Sequence, residues 1–205
     1  QDYAALSCPR CALPAGPFAD LRGGCHQCRR RPLGFDSAVA LGPHDCDAPW
    51  RGFVLSLKQE RGAFLAPALA ALWAEGRRAA FDAVPADALV APVPQHWFRR
   101  LTRRYNQADA LAVALASALD RERRDLLRRV KPTHHLVGLG RQARALAMRG
   151  AFAARRGVGP SLLKGRTILL VDDVLTTGAT LGSAARALKL AGARRVVAVV
   201  ISRER

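Results

Sequence analysis

Thr167–Leu181 reads TILLVDDVLTTGATL, and it restricts the fold more than any other stretch of the chain. Its first five residues, Thr167 to Val171, are apolar or β-branched, the composition of a strand buried on both faces. Two adjacent carboxylates follow, Asp172 and Asp173. Then comes Thr176-Thr177-Gly178-Ala179-Thr180, running into a helical pattern, LGSAARALKLAG. Unpaired backbone N–H groups and the positive end of a helix dipole converge at such a helix start, where an anion is stabilised. Threonine hydroxyls can donate to the same anion, and Gly178 lets the backbone approach closely. The carboxylates can accept from sugar hydroxyls, so a phosphorylated ribose fits the arrangement. In many α/β proteins Asp, Thr and Gly at a strand end merely cap the helix. The whole string behind a buried strand favours the phosphate cradle.

The rest of the pattern is that of an α/β chain. Short strands are expected at Ser37–Leu41, Ala88–Val93, Arg166–Asp172 and Arg195–Ser202. Helices are expected at Trp50–Lys58, Phe64–Phe81, Asn106–Leu119 and Gly182–Ala191. Strands alternating with helices imply a mainly parallel sheet flanked by helices. Ligands in such sheets bind outside the carboxyl ends of the strands, where Asp172 and Asp173 fall. Asn106 is the expected N-cap of its helix. Ala91–Pro94 is expected to be a stiff loop at the same edge.

Four cysteines stand apart from this domain. Cys8-Pro9-Arg10-Cys11 and Cys25-His26-Gln27-Cys28 are separated by thirteen residues. Two C-x2-C knuckles at that spacing suit a tetrahedral Zn²⁺ held by four thiolates. The segment has too few large apolar residues to fold alone, so a metal staple is expected. All four positions are filled, so the site is read as structural. Residues 1–33 are expected to form a zinc ribbon and residues 34–205 the α/β domain. Cys46 is given no role.

The chain carries 33 Lys and Arg against 16 Asp and Glu, a formal charge of +17. Such an imbalance points to polyanionic partners: nucleic acid, phosphorylated substrates or an anionic membrane surface. Membrane insertion is not expected, because the longest apolar run, Ala63–Ala74, is interrupted by Pro67 and too short for a bilayer. The first ten residues show no charged-then-apolar leader, and a cytoplasmic location is expected. Basic residues cluster at Arg99–Arg104 beside Trp97, Phe98 and Tyr105, and again over Arg121–Arg156. Such surfaces attract phosphate backbones without reading sequence.

Val171–Thr180 resembles the phosphoribosyl pyrophosphate (PRPP) motif of type I phosphoribosyltransferases. The order of features along nearly the whole chain resembles the ComF family, a zinc ribbon joined to a domain of that type. The matching features are the ribbon Cys8, Cys11, Cys25 and Cys28, and Leu55-Ser56-Leu57-Lys58 in a helix. They continue with Pro92-Val93-Pro94 followed by Arg99, Arg103 and Tyr105-Asn106-Gln107-Ala108, and end with the PRPP string. The chain departs from the family at Arg104 (usually Gly), at Thr133–Leu136 (usually a Gln near Leu136) and at Ala147 (usually Asn). His134 and His135 are assigned no role.

The resemblance implies a type I phosphoribosyltransferase-like fold and a PRPP site. Asp172 and Asp173 would hold the ribose diol and stabilise developing positive charge as pyrophosphate leaves. Thr176, Thr177, Gly178, Ala179 and Thr180 would take the 5′-phosphate, and Mg²⁺ would accompany PRPP. Pro92, Val93 and Pro94, with Arg99 and Arg103, would face pyrophosphate or a nucleic-acid backbone. ComF proteins are associated with natural transformation, so single-stranded DNA and proteins of the DNA-uptake machinery are the implied partners. Three functions remain open at this point: DNA handling on this fold, active transfer of ribose to an unknown acceptor, and PRPP sensing.

Overall fold

The computed structural model describes residues 7–45, 49–95, 105–131 and 140–204. It begins with a short helix α1 (His26–Arg29), strand β1 (Ser37–Pro43), and helices α2 (Pro49–Leu57), α3 (Leu65–Gly76) and α4 (Arg78–Asp82). Strand β2 (Leu89–Pro92), helix α5 (Gln107–Ala118), strand β3 (Leu127–Arg129), helix α6 (Arg141–Ala147) and strand β4 (Phe152–Ala154) follow. Helix α7 (Pro160–Leu163), strand β5 (Thr167–Leu175), helix α8 (Ala179–Leu190) and strand β6 (Arg195–Arg203) complete the order.

Four strands form one sheet in the order β1-β6-β5-β2, and every neighbouring pair is parallel. Strands β5 and β6 occupy the centre and pair from Thr167–Arg195 to Leu175–Arg203. Their unbroken apolar runs reflect burial on both faces. Alternate side chains serve opposite layers, as a two-residue period requires. Ile168, Leu170, Val196, Ala198 and Val200 pack in one core with Leu181, Ala184, Ala185 and Leu188 of α8. Leu169, Val171, Val197, Val199 and Ile201 pack in the other with Trp73 of α3 and Leu111 and Leu115 of α5. Trp73 is fully buried, and its indole N–H donates to the Val200 carbonyl at 3.2 Å.

Several expectations are adjusted. The helix expected over Phe64–Phe81 is two, α3 and α4, which break at Gly76–Arg77. Arg77 leaves the helical path, and its guanidinium donates to the Ala40 and Leu41 carbonyls on β1 at 2.8 and 2.7 Å. The motif strand runs to Leu175 rather than ending at Asp172, because β6 is long enough to pair with it throughout. Ala91 and Pro92 belong to β2 and not to a loop, and Val93 N–H extends the pairing by donating to the Val171 carbonyl at 2.9 Å. Beyond β2, Val90 exchanges backbone bonds with Glu122 and Arg124. The antiparallel pair β3–β4 has no counterpart in the sequence expectations. Asn106 does cap α5, its side chain accepting from Ala108 N–H at 3.2 Å.

Among the described residues no helix is long and apolar enough to cross a membrane.

Candidate phosphate and anion site

Asp172 and Asp173 sit within the last turn of pleat of β5, past the point where β2 stops. Each carboxylate folds back on the chain. Asp172 Oδ1 accepts from Asp173 N–H at 3.0 Å, and Asp173 Oδ1 accepts from Val174 N–H at 2.8 Å. Asp173 Oδ2 accepts from the Gln107 side-chain amide at 3.1 Å, and Gln107 accepts in turn from Gln95. The acidic pair is therefore fixed from α5 as well as from its own strand. Burial, and then the neighbouring Asp173 charge, push the Asp172 carboxyl well above the ordinary carboxylate range, while Arg129 draws it partly back.

The turn that follows has the form a phosphate cradle needs. Thr176 through Thr180 are all half-buried, hence open on one side. Gly178 is the N-cap of α8 with φ +80°, a left-handed conformation that favours glycine. It has no side chain to satisfy the first N–H groups of α8. Thr177 Oγ1 accepts from Ala179 N–H at 3.3 Å, so its hydroxyl hydrogen remains able to donate outward. Thr177 thus has the capping role and keeps the capacity for the other. A recess of about 320 Å³ opens on Thr177, Gly178 and Ala179, with Arg31 and Arg186 on its walls.

A larger cleft of about 1030 Å³ is linked to the acidic pair through Gln95, which bonds Gln107 and so Asp173. Pro92, Pro94 and Gln95 form one wall, Tyr105, Asn106 and Asp109 a second, and β3 with the segments flanking β3 and β4 a third. Five arginines line it, Arg123, Arg128, Arg129, Arg155 and Arg156, against Asp109 and Asp125, so it is a net cationic space. Arg123 is paired with both aspartates, and Arg155 reaches Asp125 at 3.7 Å. The Arg129 guanidinium lies 5.5 Å from the Phe152 ring centroid, a cation–π contact. The Tyr105 hydroxyl is buried without a hydrogen-bond partner among the described residues, and burial raises its pKa.

Cys8, Cys11, Cys25 and Cys28 are all buried, and their sulfur atoms lie within 4.8 Å of one another. Three Sγ–Sγ separations are 3.6, 3.6 and 3.7 Å. Thiolates about 2.3 Å from a tetrahedral metal sit at corners separated by about 3.8 Å, so the donor set fits a single four-coordinate ion. Cys25 N–H donates to Cys8 Sγ at 3.2 Å, which favours a charged sulfur. Hydrogen bonding with Cys11 pushes the Cys8 thiol down to about 4, whereas Cys11 is pushed up by the same bond and by burial. Four thiolates packed this closely repel one another, and a bound cation offsets that repulsion.

The structure thus brings Asp172, Asp173 and Thr176–Thr180 to one edge, with Pro92, Val93 and Pro94 beside them, and gathers the four cysteines elsewhere. Arg99 and Arg103 lie outside the described residues, as do Arg100, Arg104, Trp97, Phe98, Cys46, His134 and His135. Gln95, Gln107, Arg129 and Arg203 were not singled out by sequence. Gln107 stands in the Tyr105–Ala108 stretch, so proximity to a motif was the available signal. Arg203 gave none.

Residues 109–205 match the family model described as a phosphoribosyl transferase domain. Competence protein F of Haemophilus influenzae is 35% identical over 108 residues, which cover 52% of this chain and 46% of that protein. DNA utilization protein YhgH of Salmonella typhi is 32% identical over 199 residues, covering 92% of this chain and 80% of that protein. Adenine phosphoribosyltransferase of Mycobacterium marinum is 54% identical over 39 residues, 19% of this chain and 21% of that one. Fold, site and match define a phosphoribosyl transferase-domain protein with an N-terminal cysteine cluster. Within that class, the chain belongs to the ComF family, with competence protein F and DNA utilization protein YhgH among its relatives.

Proposed function

We propose that this chain binds a phosphoribosyl ligand, PRPP foremost, at Asp172–Thr180, and supports handling of incoming single-stranded DNA in the cytoplasm. The observation that carries the reading is the acidic pair and open hydroxyl turn at the end of β5, linked through Gln107 and Gln95 to a cleft with five arginines. In this reading Asp172 and Asp173 accept from the ribose hydroxyls. Thr176, Thr177, Gly178, Ala179 and Thr180 take the 5′-phosphate. Pro92, Val93 and Pro94, with Arg99 and Arg103, face pyrophosphate or a nucleic-acid backbone. Residues 1–33 form the ribbon and 34–205 the ligand-binding domain. Cys8, Cys11, Cys25 and Cys28 hold one structural Zn²⁺, and Mg²⁺ accompanies PRPP. The relatives' names, competence and DNA utilization, support a part in DNA uptake alongside the proteins of that machinery. The +17 charge is consistent with a nucleic-acid partner.

A second reading, transfer of the ribosyl group to an acceptor, is favoured by the size of the arginine-lined cleft that Gln95 and Gln107 link to Asp173. Asp172 and Asp173 would stabilise positive charge developing at the ribosyl carbon as pyrophosphate departs. Bound magnesium would neutralise the leaving group. The acceptor would enter from the arginine-lined side.

Calorimetric titration with PRPP, with and without Mg²⁺, tests the ligand. Saturable binding that strengthens with Mg²⁺ is expected. No affinity for PRPP, ribose 5-phosphate or a nucleotide makes the motif architectural only. A fluorescent single strand titrated across a salt series tests the DNA partner. Affinity should fall with a slope of about −0.7 in log units per phosphate contact, and undetectable binding at low salt removes direct DNA contact.

A further inference from the structure

The cysteine cluster and the phosphate turn are joined by one buried side chain. Arg203, the last residue of β6, is 8% exposed. Its Nε donates to the Cys11 carbonyl at 3.0 Å, and its Nη1 donates to the Leu175 carbonyl at 2.8 Å and to the Thr176 and Glu204 carbonyls. Cys11 ends the first knuckle, while Leu175 and Thr176 lead directly into Thr177–Thr180. A guanidinium presents its donors in a rigid planar fork. It therefore fixes carbonyls from two distant segments relative to one another.

The segment between the cluster and β1 grips the same turn from the other side. A Cβ on Gly182 would lie 2.1 Å from the Leu33 carbonyl oxygen, so backbone meets backbone there. The buried Phe35 ring lies 3.6 Å from where a Cβ on Gly178 would stand. The entry to α8 is held by Arg203 at the Leu175 and Thr176 carbonyls and by residues 33–35 against Gly178 and Gly182.

On the reading that Asp172–Thr180 takes a phosphoribosyl ligand, we infer that Arg203 is a positioning residue for that turn, coupling metal occupancy of the cysteine cluster to ligand affinity. Without its metal the first knuckle keeps Ala12, Leu13 and the Pro9 carbonyl as its anchors but loses what sets the position of Cys11, and the Cys11 carbonyl shifts against Arg203. The planar guanidinium then loses its Nε acceptor, and restoring a partner for that buried N–H requires the whole fork to turn, because its donors are fixed relative to one another. It shifts, and the Leu175 and Thr176 carbonyls lose their anchor. The N–H groups of the turn then no longer converge before the ligand arrives, and binding must bear the cost of ordering them. Linkage makes the effect reciprocal: ligand tightens metal by the factor with which metal tightens ligand.

The test uses the full chain, zinc, and ribose 5-phosphate as the probe. Zinc affinity is measured by competition with a chromophoric chelator, with and without saturating ribose 5-phosphate. A rise of about 5–10-fold is expected in the wild type, matched by tighter ribose 5-phosphate binding in the zinc-loaded than in the zinc-stripped chain. Arg203→Gln should bring the coupling to about onefold, and Arg203→Lys should restore part of it. Thr177→Val, which acts on the ligand directly, should weaken binding and leave the coupling intact. Coupling that persists unchanged in Arg203→Gln, or is missing from a wild type that binds both, overturns the inference. If the wild type binds neither ribose 5-phosphate nor PRPP nor a nucleotide, the phosphoribosyl reading fails separately. The inference then stands or falls on hydrogen–deuterium exchange over residues 175–181. That exchange should quicken on zinc removal and in Arg203→Gln while β5 and β6 upstream stay protected, and unchanged exchange overturns it.

Discussion

The cysteine cluster and the parallel sheet reach low solvent exposure by unrelated means. In the cluster, Leu13 is the single buried residue that is not a cysteine, with Leu21 and Leu33 packed at its margin. The sheet is sandwiched by two apolar layers, one against α8 and one against α3 and α5. Area burial at roughly 25 cal/mol per Å² stabilises the second kind of core and does little for the first. The cluster depends on metal–sulfur bonds, the sheet on shape. Damage to one should leave the other standing, apart from the turn they share.

The largest expected effect separates the two. Cys8→Ser with Cys25→Ser removes half the donor set, and structural zinc contributes on the order of 10 kcal/mol to small metal-bound folds. Elemental analysis should show metal falling from one equivalent toward none, and limited proteolysis should cut within residues 7–33 first. Far-UV circular dichroism of the sheet domain should persist. Retention of a folded, metal-free ribbon sinks this account. The converse variant, Trp73→Ala, empties the centre of one layer and loses the bond to the Val200 carbonyl. Urea unfolding should register a loss of about 3–5 kcal/mol, with the metal content of the native protein unchanged.

A third prediction concerns pH. Burial holds the Asp172 pKa above its ordinary value, so the native chain keeps a proton that the unfolded chain releases. Between the ordinary and the raised value the native state binds more protons, and stability falls as pH rises. Above the raised value the whole penalty is present. Asp172→Asn removes it, so the variant should melt higher than wild type at neutral and alkaline pH. The gap should close as pH drops to the ordinary carboxylate range. A gap independent of pH contradicts the assignment. The smallest expected effect is at Thr177→Val, where losing a donor to a charged phosphate should cost roughly 1–2 kcal/mol in PRPP affinity. Calorimetry reads it, and unaltered affinity would leave Thr177 with its capping bond to Ala179 alone.

Much of this was legible because it is periodic or spaced. The apolar runs Thr167–Val171 and Arg195–Ser202 announce central strands, and the two C-x2-C pairs announce one donor cluster. The expected strand ends at Asp172 because Asp173 and the residues after it look like a loop, and pairing with β6 keeps them extended to Leu175. The β3–β4 pair was missed for a related reason. Leu127-Arg128-Arg129 is three residues long and mostly charged, and it becomes a strand through its partner Phe152–Ala154 and the floor of α8 beneath. The break between α3 and α4 depends on what Arg77 finds on β1, a contact distant in sequence. Arg203 is the clearest case: one arginine among many in a basic chain, distinguished only by which carbonyls surround it.

The outer strands of the sheet carry a consequence for how this protein meets other chains. A parallel sheet left bare at its margins is an invitation to growth, since a visiting strand can continue the ladder. Here one margin has its Ala40 and Leu41 carbonyls occupied by Arg77, and the other has Val90 engaged by Glu122 and Arg124. A newcomer would have to evict a bidentate guanidinium at one side or a stretch of backbone at the other. Recruitment by donated strand is thereby disfavoured, and association is directed to side chains, above all the arginine-rich faces.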